Sequence, residues 1–146
     1  KRESVILYEF LALNEGVVGC IFKFVSNSEF YTFEIGGAAN MADRFFQIRR
    51  KVKGTWSTVK RIGTNAEIPN LPFFGYEINS WYQVEVKLVG DNMTISVALM
   101  GITERLKVII VNDNSISKGR VGFSTSGTQA VFGEISVSPT PIPQSK

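Results

Sequence analysis

The sequence predicts an all-β domain in which two antiparallel sheets pack face to face as a sandwich. Three observations indicate this fold class. Apolar residues alternate with polar ones along most of the chain, turn residues interrupt them about every ten positions, and no apolar pattern of helical spacing continues for three turns. Because antiparallel strands can be joined by short turns, two stacked antiparallel sheets are the natural way to bury these faces.

Each predicted strand is a run of alternating or continuous apolar residues between turn residues. The segment 17–25 is almost entirely apolar, as expected for a strand covered on both faces. The strands at 44–53 and 55–62 meet at Lys53 and Gly54 and predict a hairpin. The segment 63–76 contains two prolines and predicts a surface loop with an edge segment. The predicted strands cover residues 5–13, 17–25, 30–35, 44–53, 55–62, 81–89, 93–100, 106–111, 120–124 and 131–137.

The size and composition of the chain suit one folded domain. It has 146 residues, of which 44% are hydrophobic and 20% are charged. We expect residues 1–139 to form the sandwich and residues 140–146 to form an extended tail or a linker to neighbouring domains. No apolar run approaches the roughly 20 residues that a membrane helix needs, so no transmembrane segment is predicted. The single cysteine, Cys20, has apolar neighbours and is expected to be buried.

Three local patterns occur in a characteristic order. The first is GCIFKF at 19–24 followed by SEFYTFEI at 28–35, and the second is WYQVEV at 81–86 followed by GDNMTI at 90–95. The third is GRVGF at 119–123 followed by VFGEISV at 131–137. This order resembles the concanavalin A-like (laminin-G-like) jelly rolls, and is nearest in pattern to the thrombospondin C-terminal, L-type lectin-like domain. The resemblance implies a jelly-roll sandwich, in a superfamily that includes lectins, adhesion modules and glycosidases.

The residue types present exclude several kinds of catalysis. The chain has no histidine, which removes histidine bases and histidine metal sites, and one cysteine is too few for a zinc cluster. A glycosidase needs two carboxylates about 5–9 Å apart, which one strand can supply at positions i and i+2. The sequence contains no acidic pair at that spacing. We therefore predict that the domain is not an enzyme, and a glycoside hydrolase-related domain is kept as an alternative.

Two oxygen-rich loops, at 91–92 and 112–115, are candidates for calcium or for ordinary turns. Asp113 is the single best candidate metal ligand, with calcium as the candidate cofactor. Asn92 begins an N-x-T sequon and is a candidate glycosylation site if the chain is secreted. Trp81, at the start of its strand, is expected to fill space between the two sheets.

The predicted hairpin at 44–62 carries an unusual concentration of positive charge. Alternation predicts one face with Arg49, Lys51 and Lys53, and a facing strand on which Trp56, Thr58 and Lys60 lie together. Such a patch suits an acidic glycan or protein, whereas lysines on a hairpin also serve to prevent edge-to-edge pairing. Nucleic acid is not predicted, because the patch is short and no recognition module is present. The candidate ligand-binding residues are Arg44, Arg49, Lys51, Lys53, Trp56, Lys60 and Arg61.

These observations predict a non-catalytic, lectin-like binding or adhesion module of a larger secreted or cell-surface protein. Its partner would be a glycan or a protein, and its location would be extracellular or at the cell surface. The second alternative, beside the hydrolase-related domain, is a structural or assembly domain that mediates protein–protein contacts.

Overall fold

The computed structural model describes residues 3–140 and forms two five-stranded sheets, which confirms the predicted all-β sandwich. The helical turns in the described residues are two 3₁₀ segments of three residues each. Within residues 3–140, no helix is long and apolar enough to span a bilayer. The strands are β1 (Glu3–Ala12), β2 (Gly16–Ser26), β3 (Glu29–Gly37), β4 (Phe45–Val52), β5 (Thr55–Ile62), β6 (Trp81–Val89), β7 (Asn92–Leu99), β8 (Leu106–Asn112), β9 (Arg120–Ser126) and β10 (Ala130–Thr140).

The two sheets combine strands from distant parts of the chain. Sheet A has the strand order β10-β1-β6-β7-β8, and sheet B has the order β5-β4-β3-β2-β9. All the strand pairs in both sheets are antiparallel. β4 and β5 form the predicted hairpin. Of the predicted tail over 140–146, Thr140 is the last residue of β10, and residues 141–146 lie outside the described residues.

The core lies between the sheets and is built by alternate residues of each strand. On β6, Tyr82, Val84 and Val86 are buried, while the residues between them are partly exposed. Phe10 of β1 stacks on Tyr82 with ring centroids 5.3 Å apart. Burying each large apolar side chain contributes roughly 1.5–3 kcal/mol, so this alternation supplies most of the driving force for the sandwich. Cys20 is fully buried in this core, as predicted.

Aromatic residues of the segment 63–76 enter the core, so the prediction of a surface loop is wrong for its last part. Phe73 and Phe74 are buried, and both pack edge-on against Phe46, at 6.4 and 5.2 Å between centroids. Tyr76 is also buried, and its hydroxyl donates to the Asn14 carbonyl oxygen at 2.9 Å. The prolines interrupt regular structure, but the large apolar area of these rings still favours burial.

The predicted position of Trp81 is also wrong. Its side chain lies on the outer face of sheet A, 38% exposed, and its ring lies 3.8 Å from where a Cβ at Gly133 would be. Tyr82, the next residue, takes the inward position, because neighbouring residues of a strand point to opposite faces.

We predict that replacing Tyr8 with Phe raises the free energy of unfolding by about 1 kcal/mol. The Tyr8 hydroxyl is buried and finds no hydrogen-bond partner among the described residues, so the folded state loses its hydration without compensation. Urea unfolding measures the change. The matched control is Tyr76→Phe, which removes a hydroxyl that does have a partner and should lower stability. A loss of stability in Tyr8→Phe would contradict this account.

We also predict that stability decreases as pH rises above about 9. Burial raises the pKa of Cys20 and of four tyrosines above their ordinary values of 9.0 and 10.0, so the unfolded chain loses these protons first. The folded state then binds more protons than the unfolded state, and the free energy of unfolding falls with pH. The tyrosines are Tyr8, Tyr31, Tyr76 and Tyr82.

Lys23 opposes this trend, because burial lowers its pKa and it gains stability with rising pH up to its ordinary value of 10.5. Because one group gains stability with rising pH while five groups lose it, the free energy of unfolding decreases overall. The measurement is the urea midpoint followed by circular dichroism from about pH 7 to about pH 11. A midpoint that stays constant over this range would disprove the prediction.

Candidate functional site

The outer face of sheet B, which points away from the core, carries a dense set of polar and aromatic side chains. On β3, Tyr31 and Phe33 join the core, so the residues between them point outward. β4 and β5 lie beside β3 and continue this face in register. We call this set the sheet B face; it consists of Phe30, Thr32 and Glu34 of β3, Phe45, Gln47, Arg49 and Lys51 of β4, and Trp56, Thr58 and Arg61 of β5.

Trp56 is the most prominent aromatic residue of the sheet B face and is 40% exposed. The Arg49 guanidinium carbon lies 4.0 Å from the centroid of its ring, and the Lys51 ammonium nitrogen lies 5.4 Å from it. Phe30 packs edge-on against the indole at 5.3 Å between centroids. Cation–π attraction and this packing hold the indole in one orientation, with part of the ring exposed to solvent.

Glu34 lies beside this aromatic group and is only 9% exposed, although it points away from the core. Its carboxylate accepts hydrogen bonds from Gln47 at 2.6 Å, Thr32 at 3.1 Å and Arg49 at 3.4 Å. Arg61 donates to the Gln47 amide oxygen at 2.9 Å, and so extends the network to the edge strand. These charge-assisted bonds fix the donors and acceptors of the face before any partner arrives.

A bulge in β5 decides which basic residues belong to this face. Arg49 pairs with Thr58 but Ile48 pairs with Lys60, which leaves Val59 as an extra residue in β5. The predicted common face of Trp56, Thr58 and Lys60 is therefore wrong at Lys60, whose register partner Ile48 points into the core. Beyond the bulge, Arg61 takes the position opposite Gln47.

The structure thus brings together four of the seven candidate ligand-binding residues, namely Arg49, Lys51, Trp56 and Arg61. Lys53 is exposed at the hairpin turn. Arg44 lies elsewhere, where its guanidinium donates to the carbonyl oxygens of Ala38 at 2.8 Å and Phe74 at 3.3 Å. Whether any of these residues binds a ligand stays a prediction.

Sequence reasoning missed the contribution of β3 to the site. Phe30, Thr32 and Glu34 alternate with core residues in the sequence, which indicates a common face. The sequence does not show that this face lies beside the basic hairpin, because that depends on the pairing of β3 with β4.

Asp113, the candidate metal ligand, is occupied by protein partners. Its carboxylate accepts from the Tyr31 hydroxyl and the Arg50 guanidinium, and from the Ser115 backbone N–H at 3.0 Å. Burial tends to raise the pKa of Asp113, but the hydrogen bonds from Tyr31 and Ser115 and the charge of Arg50 outweigh it and lower the pKa below 3.8.

In residues 3–140, no three His, Cys, Asp or Glu residues are grouped so that they would hold a metal ion. The calcium site stays a prediction, as does glycosylation at Asn92, which is exposed at the start of β7.

We predict that Asp113→Asn lowers the free energy of unfolding by about 1–3 kcal/mol. The substitution removes the charged acceptor that ties Tyr31 and Arg50 of sheet B to the loop before β9. Because the pKa is lowered in the fold, this stabilisation is present above pH 3.8 and is lost as pH falls below it. Thermal unfolding at neutral pH measures the loss. Asp43→Asn, at an exposed position, is the control, and equal effects of the two substitutions would refute the prediction.

No protein-family model and no curated protein matches the sequence. Solved structures do match the fold. The carbohydrate binding module CBM66 from Bacillus subtilis superposes with a TM-score of 0.72 at 15% identity, over 94% of this chain and 75% of that chain. CG-16, a homodimeric agglutinin from chicken liver, superposes with a TM-score of 0.59 at 12% identity, over 93% and 90%.

A xylan beta-1,4-xylosidase from Bacillus halodurans C-125 also matches, with a TM-score of 0.61 at 10% identity. The match covers 95% of this chain but only 28% of the xylosidase. At these identities the similarity concerns the fold. The chain shares the two-sheet β-sandwich fold of these structures, and this fold agrees with the jelly-roll sandwich that the sequence patterns imply.

Proposed function

We propose that this domain is a non-catalytic glycan-binding module and that the sheet B face is its binding site. The observation that carries the proposal is the exposed Trp56 ring beside the hydrogen-bonded group of Glu34, Gln47 and Arg49. Two of the proteins with a similar fold, the module CBM66 and the chicken agglutinin, have names that refer to carbohydrate binding or agglutination. These similarities support the proposal through the fold alone.

The chemistry of the face suits a sugar ring. A sugar presents apolar C–H groups on one side, and these carry the partial positive charge that the negative face of an indole attracts. Its hydroxyl groups both donate and accept, and Arg49, which Glu34 holds beside the indole, offers N–H donors there. Because these side chains already hold one another in place, binding a sugar orders few additional groups.

The charge of the face favours an acidic glycan. Arg49, Lys51 and Arg61 contribute three positive charges, whereas Glu34 is the one carboxylate that the described strands place there. Arginine binds carboxylate and sulfate groups through paired N–H donors. We therefore propose a sulfated or carboxylated glycan as the ligand class.

The single carboxylate among the described residues of the sheet B face argues against glycoside hydrolysis there. Both common mechanisms use two carboxylates that flank the scissile bond. Among the described residues of the sheet B face, Glu34 has no acidic neighbour, and its oxygens are engaged by Thr32, Gln47 and Arg49. This arrangement supports a binding role. The extracellular location and the adhesion role stay predictions.

We predict that Trp56→Ala weakens binding to acidic glycans by about tenfold or more, because it removes the stacking surface. The test is an array of sulfated, sialylated, uronic acid-containing and neutral glycans, followed by calorimetry on the best ligand. Trp81→Ala is the matched control, since Trp81 is similarly exposed but lies on the outer face of sheet A.

Two further measurements separate the contribution of charge to glycan binding from the contribution of stacking. Arg49→Ala should reduce the preference for acidic over neutral glycans, and raising the salt concentration should weaken binding of acidic glycans in particular. Repeating the array with calcium and with a chelator tests the calcium prediction independently. Full glycan binding by Trp56→Ala, or equal losses of binding in Trp56→Ala and Trp81→Ala, would show that the sheet B face is not the binding site.

A further inference from the structure

A cavity separate from the sheet B face lies between the two sheets. It has a volume of about 500 Å³ and lies between β10, β1 and β6 of sheet A and β2 and β9 of sheet B. This is within the size range of small-molecule sites. Its apolar lining consists of Ile6, Phe22, Leu88, Val121 and Val137.

A bulge in β2 directs one positive charge into this cavity. The pairing of β2 shifts register between Phe22 and Ser26 against β3, and between Ile21 and Phe24 against β9. Lys23 lies within both shifts, has a left-handed φ of 50°, and is only 5% exposed. Without the bulge, alternation would place Lys23 on the outer face of sheet B, because Phe22 already points into the core.

The loop before β9 closes over this bulge and holds it. A Cβ at Gly119 would lie 2.3 Å from the Lys23 carbonyl carbon and 2.4 Å from the Phe24 nitrogen, so only glycine permits this approach. Lys118 and Ser117 of the same loop line the cavity beside Lys23.

The Lys23 ammonium has few partners in this position. The one hydrogen bond that it makes with the described residues is to the Gly90 carbonyl oxygen at 3.5 Å, the long limit for such a bond, although an ammonium has three N–H donors. It also lies 5.7 Å from the centroid of the Tyr31 ring. Among the described residues, no carboxylate lies within 4.0 Å of it.

In the part of the chain that the structure describes, Lys23 has no counter-ion in direct contact. Burial lowers the pKa of Lys23, and the charges of Asp91 and Asp113 act in the opposite direction from further away. Asp113 is already engaged by Arg50 and Tyr31. A buried charge is costly unless it is paired, so an anion beside Lys23 would relieve this cost.

We propose that this cavity binds a small aliphatic carboxylate, with the carboxylate beside Lys23 and the apolar chain against the walls between the sheets. The cationic end and the apolar remainder of the cavity match the two parts of such a molecule. Lys118 at the same loop adds positive potential for the carboxylate group.

Calorimetry with three probes tests the match between ligand and cavity. Octanoate carries both parts, 1-octanol has the chain without the charge, and acetate has the charge without the chain. We expect octanoate to bind about tenfold more tightly than either of the others, since each lacks one of the two contributions. Equal binding of octanoate and octanol, or no binding of octanoate, would overturn the proposal.

Variants locate the site. Lys23→Met keeps the length of the side chain and removes its charge, so it should abolish the preference for octanoate over octanol. Lys107→Met is the matched control at an exposed position of β8 and should leave the preference unchanged. Val137→Phe introduces a larger side chain into the cavity lining from an exposed position on the edge strand, so it should weaken both ligands without disturbing the core.

Trp56→Ala separates this proposal from glycan binding, because it changes the sheet B face and should not affect octanoate. If Lys23→Met fails to fold, the three probes and Val137→Phe still decide the question. Octanoate binding that persists unchanged in Val137→Phe would place the ligand outside this cavity and would refute the inference.

Discussion

Strand β3 is covered on both of its faces, and the rest of the structure depends on this. From Phe30 to Gly37 all of its residues are buried. Toward the core, Tyr31, Phe33 and Ile35 pack under sheet A, while Thr32 and Glu34 are enclosed on the opposite side by side chains of β4. The same alternation therefore builds the core and the floor of the candidate site, so a substitution in β3 is expected to affect both.

Two of the bulges in the described strands occur where a charged residue changes its side of a sheet. The bulge in β5 removes Lys60 from the sheet B face and brings Arg61 to it. The bulge in β2 turns Lys23 from the outer face toward the space between the sheets. Each bulge costs some strand pairing, and each determines which cations are available for a ligand. The two proposed sites therefore both depend on departures from ideal strand geometry.

Polar groups inside the sandwich differ widely in how many of their hydrogen-bonding positions have a partner. Asp113, Arg50 and Tyr31 form a compact network in which every member has a partner, and this network joins sheet B to the loop before β9. Among the described residues, the buried Tyr8 hydroxyl has no hydrogen-bond partner and Lys23 makes a single long hydrogen bond. The fold tolerates these groups because burial of the large aromatic core outweighs the free-energy cost of their missing hydrogen bonds. Lys23 differs from Tyr8 because it faces a cavity.

The sequence by itself determined the all-β class, the positions of the ten strands and the basic hairpin, because strand alternation and turn residues are local signals. The order of three short patterns also indicated a jelly-roll sandwich. Tertiary structure alone decided that β3 lies beside the hairpin, that Trp81 points outward and that the rings of Phe73 and Phe74 enter the core. Strand pairing, bulges and burial depend on contacts between distant segments, which alternation along one strand does not encode.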